Sequence, residues 1–587
     1  MRKYYKILIA LQILFLGLVF VPVNAAVGYN YSHDGRIVHS TVGLSVTNDG
    51  IYTVISEHWT NDKGDRVRSE QFTNPMDLYL YNDDDGEDVI YIVDASSNIL
   101  YVFDGNMYFQ HKVDKFEIRP EDFIDKEDIL LKTRTRSGSG SDAQSITFDE
   151  YLENDKGLEL FQFMNLAETP YDERTEDEKF YLECFELSGV YRSVRPARDE
   201  NGTPIQNHLG QPVMEDLIYL SDKKNNQIII INAEDYRVKQ IVPSPETVNF
   251  SGKVFMPIKL VTDRIGRMYI ISEGVFEGIM MFSYDGEFTS YMGVNYLSLT
   301  FWQIFWRRFS TDEQIALQQT QVNTTFTSLA IDNEQFIYTT SRAIGENDDT
   351  RMIKRLNPHG DDVLTRNGYH DPKGDLIYIL TGGDQNLRGP SRFSAVTVND
   401  YGVYTVADAK SGRLFTYDTE GYLLYISGGS GNEFRDLNDP VAICYQGENI
   451  IALDRGNKSV LRFVPTDIAV VINKAVKYHF EGNLSASSEE WKNVVSKNPN
   501  YEYAYVGIGK SLLNEKRYRE AMSYFKIGHN VKYYSNAYKL YRDEIVAKYF
   551  TPIFTVGIIL LIAGLAYNTY HNIRYKREEE DTGEGDE

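Results

Sequence analysis

Residues 402–421 read GVYTVADAKSGRLFTYDTEG. A short apolar run is followed by a turn that starts on Asp408, a second apolar run, and a second turn closed by Gly421. β-Branched and aromatic residues suit pleated strands, and Asp, Ser and Gly supply the backbone freedom that hairpin turns require. Moving outward in both directions, the same template recurs. It appears at 89–104 (VIYIVDASSNILYVFD), 217–232 (LIYLSDKKNNQIIIIN) and 267–286 (RMYIISEGVFEGIMMFSYDG). It appears again at 336–343 with 351–360 (FIYTTSRA, RMIKRLNPHG) and at 449–465 (NIIALDRGNKSVLRFVP). Further apolar strands precede these units, such as MDLYLYND (76–83), MPIKLVTD (256–263), FTSLAIDN (326–333), FSAVTVND (393–400) and PVAICYQG (440–447). Strand, turn, strand, turn, strand, repeated every roughly 40 to 60 residues, is the pattern of a β-propeller. Six units are counted. A further pair at 42–56 (VGLSVTNDGIYTVIS) either completes the last blade or starts a seventh; six blades closed by N-terminal strands is the expectation.

These units resemble the NHL repeat, and through it six-bladed propellers that include gluconolactonase-like and strictosidine-synthase-like enzymes. The resemblance covers most of residues 75–465. It speaks to fold far more than to function. The lactonase-like relatives hold a central calcium with acidic and amide side chains from several blades, but no such set can be placed on this sequence residue by residue. The acids that recur in the template, Asp94, Asp222, Asp408 and Asp454, each stand where a strand enters a turn, where a carboxylate accepts backbone N–H bonds. Glu273 and Arg342 occupy that neighbourhood in the third and fourth units, so no acidic ring is complete. The run NDDDGED (82–88) lacks the ligand spacing of a calcium loop and reads as a solvated hairpin turn.

Two insertions break the rhythm. Residues 115–215 are polar and contain SGSGSD, part of them expected in blade strands and part in a surface excursion. Residues 291–325 carry FWQIFWRRF, where Phe301, Trp302, Phe305 and Trp306 fall at helical spacing. They form either a helix packed on the propeller or an exposed aromatic lip for a glycan, a protein or a membrane surface, and they are the candidate ligand-binding residues.

From Thr466 the period becomes helical. Residues 504–530 resemble a tetratricopeptide repeat, with Gly509, Leu512, Tyr518, Ala521 and Phe525 at its packing positions; Trp491, Val494 and Pro499 fit the half-repeat before it. Such a pair is either a stalk or a protein-docking groove, and Tyr505, Leu512, Tyr518 and Phe525 are the candidate docking residues. The helix after it, from 534 to 550, looks like a solvating helix that either ends there or runs into the apolar stretch that follows.

The ends set the expected topology. Arg2, Lys3 and Lys6, an apolar run at 7–20 and small residues at Val23 and Ala25 form a secretory signal pattern. The uncharged run PIFTVGIILLIAGLAY (552–567) is long enough to cross a bilayer, and Arg574, Lys576 and Arg577 beyond it mark a cytoplasmic side. The expected order is a signal peptide (1–25), a propeller (28–467), a helical module (468–548), a transmembrane helix (550–570) and a disordered cytoplasmic tail (571–587). The bulk of the chain would then lie outside the cytoplasm, anchored in the cell membrane by a single span.

Composition narrows the function. With 85 acidic against 60 basic residues the net charge is −25, which disfavours nucleic acid and anionic lipid as partners. Two cysteines, Cys184 and Cys444, exclude a disulfide scaffold and leave one bridge open. The 43 tyrosines suit half-buried strands and the walls of binding sites. No HExxH, GxSxG or CxxC pattern is present. The whole order resembles a group of Gram-positive bacterial membrane proteins with NHL repeats, often encoded beside sugar ABC-transport components; the YNYSHDGRIVHS (29–40) and YSNAYKLYRDE (534–544) segments carry that likeness. It implies a role in carbohydrate capture or in assembly with transporter components. The expectation is a membrane-anchored binding or scaffold protein, its propeller holding a glycan or protein and its helices docking a partner. No catalytic residue, metal ligand or cofactor is assigned. The alternative is a calcium-dependent, lactonase-like hydrolase in the propeller channel.

Overall fold

The computed structural model describes residues 27–52, 71–82, 86–118, 130–132, 145–147, 180–182, 185–198, 202–250, 252–293, 325–342, 351–376, 390–431 and 436–583. The expected signal peptide and the aromatic insertion lie outside them. The chain divides into two compact units, Met1–Val470 and Val471–Glu587.

The first unit is a six-bladed propeller. Blade 1 comprises Pro75–Asn82, Asp88–Asp94, Ile99–Asp104 and Phe109–Val113. Blade 2 comprises Leu187–Pro196, Met214–Asp222, Gln227–Asn232 and Val238–Val242. Blade 3 comprises Met256–Thr262, Met268–Glu273, Ile279–Phe282 and Phe288–Met292. Blade 4 shows three strands among the described residues, Phe326–Ile331, Ile337–Ser341 and Ile353–Leu356. Blade 5 comprises Phe393–Val398, Tyr404–Asp408, Arg413–Tyr417 and Leu423–Gly428. Blade 6 takes Pro440–Gln446, Asn449–Asp454 and Ser459–Pro465 from the end of the unit and Leu44–Tyr52 from its beginning. The stretch read at 42–56 therefore completes the sixth blade, as expected, instead of starting a seventh. The long insertion supplies the inner strand of blade 2.

The first strands of neighbouring blades touch one another all the way round, from blade 1 to blade 6 and back. They form the inner ring. Each carries a β-bulge near its start, at Pro75/Asp77, Leu187/Gly189, Pro257/Lys259, Phe326/Ser328, Phe393/Ala395 and Pro440/Ala442. A bulge interrupts the hydrogen-bond ladder and increases the local twist. Here it recurs at one height in all six blades and frees main-chain groups toward the next blade.

The turn acids do what their position implied. Asp94 is fully buried and accepts the N–H groups of Thr73, Asn74, Ser96 and Ser97 at 2.6–3.1 Å. Asp408 accepts from the N–H groups of Arg392 and Lys410, and Asp454 from those of Asn438, Asp439 and Gly456. Each carboxylate thus ties the turn between the second and third strands to the segment that leads into the inner strand of the same blade. In blade 3 the Ser272 hydroxyl takes over, accepting Met256 N–H at 2.8 Å, while exposed Glu273 pairs with Lys223. The turns between third and fourth strands use a second device. Asp418 accepts Glu420 and Tyr422 N–H, and Gly421 closes the turn at φ +87°, where a side chain would be strained.

The N-terminal hairpin, Val27–Tyr31 with Ile37–Thr41, is fastened beside blade 5. The hydroxyls of Tyr29 and Tyr31 both donate to Asp375 Oδ1, and Arg413 binds Asp375 Oδ2 at 2.9 Å.

The second unit is helical: α1 (Asp467–Phe480, its first residues in the propeller unit), α2 (Leu484–Lys497), α3 (Glu502–Asn514), α4 (Tyr518–Ile527) and α5 (Val531–Gly583). α2 packs on α3, α3 on α4, and α4 on α5. Trp491 is 2 % exposed and sits edge-on to Tyr503 at 5.2 Å. α5 is long and apolar enough to cross a membrane, and its apolar side chains, Ile553, Phe554, Leu560 and Leu561 among them, are exposed. The segment read as a solvating helix runs on into the apolar stretch, the continuation its sequence left open, and forms the first part of α5. The tail read as disordered continues that helix as far as Gly583; its Glu, Lys and Arg residues are good helix formers, which composition-based disorder ignores.

Asp454→Ala should lower stability by about 3 kcal/mol, because the fully buried carboxylate that gathers three N–H groups is removed. Glu273→Ala, at an exposed position, should stay within about 0.5 kcal/mol of wild type. Urea unfolding of both variants checks the contrast.

Candidate functional site

The inner strands of all six blades line an axial cavity of about 660 Å³. Its chemistry comes from a few polar side chains set into otherwise apolar strands. Lys259, next to the blade 3 bulge, places Nζ 3.0 Å from Asp77 Oδ1 of blade 1. The same ammonium donates to the carbonyl of Val441 in blade 6 at 3.0 Å. Asp77 Oδ2 accepts Val190 N–H of blade 2 at 3.2 Å. One ion pair therefore joins four blades. Burial pushes the Asp77 carboxyl above its ordinary value, with Lys259 opposing. Shorter links complete the ring. Ser188 donates to Pro257 O at 2.7 Å, Ser394 to Pro440 O at 2.5 Å, and Ser328 Oγ accepts Val396 N–H at 3.2 Å. The acceptors and donors are the groups that the bulges release.

The cavity wall is phenolic. The Tyr79 and Tyr191 rings lie 4.5 Å apart, and Tyr445 shares a 2.6 Å hydrogen bond with the Thr405 hydroxyl. Burial raises the Tyr79 and Tyr445 hydroxyls well above the usual phenol value and pushes Tyr191 up to about 12. They are neutral donors and acceptors near neutrality. Cys444 also lines the cavity, and burial raises its thiol, the opposite of what a nucleophilic cysteine needs.

The open end lies where the inner strands finish. Asn82 Nδ2 donates to Asp88 Oδ1 at 2.9 Å, and Gln446 Nε2 donates to Asp88 Oδ2 at 2.9 Å. Asn333 Nδ2 donates to Asp400 Oδ1 at 3.0 Å. Asn399 Oδ1 accepts the N–H groups of Tyr401 and Val403 at 3.2 and 2.9 Å. The mouth carboxylates are thus engaged by carboxamides from neighbouring turns. The cavity holds a charge-balanced floor, a neutral tyrosine wall and an amide-rich rim. Such a lining can bind a polar molecule; among the described residues it presents no activated nucleophile beside a base.

Of the residues singled out in the sequence, Phe301, Trp302, Phe305 and Trp306 lie outside the described residues, as does Cys184. Phe525 is fully buried, against Gly509, where an added Cβ would come within 2.6 Å of its ring, and stacked on Tyr533 at 5.4 Å. It holds helices together. Leu512 is 6 % exposed and lies on the floor of a groove of about 540 Å³ with Ile508 and Tyr524, rimmed by Glu489, Lys492, Arg517 and Glu520. Tyr505 donates to Pro499 O at 3.0 Å, and half-buried Tyr518 opens α4; neither lines that groove. Sequence reading missed Asp77 and Lys259. Their signal was an acid and a base standing alone in apolar strands, at 76–80 (MDLYL) and 256–260 (MPIKL).

No protein-family model and no curated protein matches the sequence. Among solved structures, virginiamycin B lyase from Staphylococcus aureus is similar at 10% identity, over 67% of this chain and 96% of its own, with a TM-score of 0.33. The β-propeller domain of Cps50 (Swd1) from Myceliophteria thermophila is similar at 7% identity, over 72% and 100%, with a TM-score of 0.31. At such scores neither bears on what this chain does; the propeller stands on its own strand order.

Lys259→Met should cost about 3 to 5 kcal/mol, since it leaves Asp77 buried without its cation, and Asp77→Leu in the same chain should restore most of the loss. The sign of the pH effect follows from a folded-state carboxyl raised above its unfolded value. Its contribution to stability is present at low pH and is lost as pH rises through the folded value. Without Lys259 the rise is larger, so the single variant should lose more stability than wild type on going from about pH 4 to 8. Urea unfolding across that range, for wild type and the single and double variants, measures both effects.

Proposed function

We propose that this chain is a membrane-anchored binding or scaffold protein with its propeller outside the cytoplasm. The observation that carries the reading is the closed axis. Lys259 occupies the place where a catalytic propeller would need room for a cation or a reacting bond, and it is committed to Asp77 and Val441. A resident ammonium repels a metal ion at close range. The neutral tyrosine wall and the raised thiol add no nucleophile. What is left is a mouth suited to holding a ligand.

The anchor rests on α5, whose exposed apolar surface fits lipid better than water. Arg574, Lys576 and Arg577 after the apolar run favour a cytoplasmic side for that end by the positive-inside rule, and the N-terminal signal pattern supports the same reading. The groove floored by Leu512 and Ile508 is the surface offered to a protein partner, and the resemblance found in the sequence makes a sugar-transport component the partner class to try first.

The full chain, expressed in bacterial membranes, should stay in the pellet after alkaline carbonate washing, whereas a chain ending at Lys548 should be released. The purified full chain should hydrolyse neither aryl esters nor lactones, with or without calcium. Extraction of the full chain by carbonate would remove the anchor from the account, and calcium-dependent turnover would replace binding by catalysis.

A further inference from the structure

We propose that the open mouth of the propeller channel is a saccharide site that takes the end of a neutral glycan chain. This rests on the reading of the propeller as a binding module and names its ligand class. The cavity, about 660 Å³, is within the size range of sites for small ligands, roughly 300 to 1,000 Å³. Its lining selects among ligands. An apolar molecule would cut the rim carboxylates of Asp88 and Asp400 off from water, which is costly. An anion would meet Asp88 and Asp400 at the rim, and the ammonium at the floor is already balanced by Asp77. A neutral ligand rich in hydroxyls suits what remains. Carboxamides from blades 1, 4 and 5 offer paired donors and acceptors, the two rim carboxylates keep lone pairs for hydroxyl protons, and Tyr79 and Tyr445 offer rings and neutral hydroxyls. Sugars combine hydroxyl groups with apolar C–H faces, so both halves of this lining are used.

Asn399 gives a clean handle. Its Oδ1 holds the turn by accepting N–H groups two and four residues on. In blade 3 Asp263 does this for Ile265 and Arg267, and in blade 4 Asp332 does it for Glu334 and Phe336. Asn399→Asp therefore keeps the turn and replaces an NH₂ donor by a charged acceptor.

The test is isothermal titration of the full chain, in a detergent without a sugar headgroup, against maltohexaose, cellohexaose, xylohexaose and chitohexaose, with a galacturonate oligomer as the anionic probe. At least one neutral oligosaccharide should bind. Asn399→Asp and Asn333→Ala should each weaken it about tenfold, the scale of one lost hydrogen bond, with unchanged thermal unfolding. Glu273→Ala, at an exposed position outside the cavity lining, should leave the affinity as it was. Binding of none of the neutral probes, or tighter binding of the galacturonate oligomer, overturns the proposal. Neutral binding that ignores both asparagine variants overturns the mouth as its site while leaving the binding-protein reading intact; calcium-dependent turnover of a probe would instead overturn that reading.

Discussion

Six strands that converge on one axis cannot all keep their backbone groups paired within their own blades. The propeller answers this with one repeated constraint, a bulge near the start of every inner strand. The main-chain groups so freed are met by Ser188, Ser328, Ser394 and, across the axis, by Lys259. Once an ammonium is used this way, Asp77 beside it offsets the cost of its burial. The same solution that holds the ring together also fills part of its centre with a paired ammonium, and the proposed binding role rests on that.

Outside the axis, stability is local to each blade. A buried turn carboxylate fastens each of blades 1, 2, 5 and 6 to the segment that enters it, through Asp94, Asp222, Asp408 and Asp454. Burial raises the Asp222 carboxyl even so, and hydrogen bonds from Glu186 N–H, Asn225 and Gln227 work against that rise. Blade 6 depends on distant chain, since its outer strand is Leu44–Tyr52. Closing the ring thus requires the first and last strands of the propeller together, with Thr466 N–H bound to Gly43 O at the seam.

The sequence carried whatever depends on neighbours along the chain. Strand-turn-strand units with Asp and Gly at fixed places gave the propeller, its six blades and the structural role of the turn acids. The change to helical spacing after Thr466 and the apolar run after Pro552 were equally plain. Contacts between distant residues left no such mark. Lys259 reaches Val441 and Asp77 from other blades, and Tyr29 reaches Asp375 across 346 positions. The helical unit shows a subtler limit. Spacing alone cannot separate a residue that packs helices from one that lines a groove, and at Phe525 the deciding neighbour was Gly509. The candidate aromatic site at 301–306 lies outside the described residues, whereas the mouth amides that define the present site stood in turns that read as ordinary hairpin chemistry.

The central claim is that the axis is closed by an ammonium held between two blades. A density map of the full chain at a resolution that shows side chains tests this most directly. The account predicts Lys259 Nζ within hydrogen-bond reach of both the Asp77 carboxylate and the Val441 carbonyl. An axis occupied by a metal ion, with Lys259 turned away and Asp77 among the ligands, would contradict it.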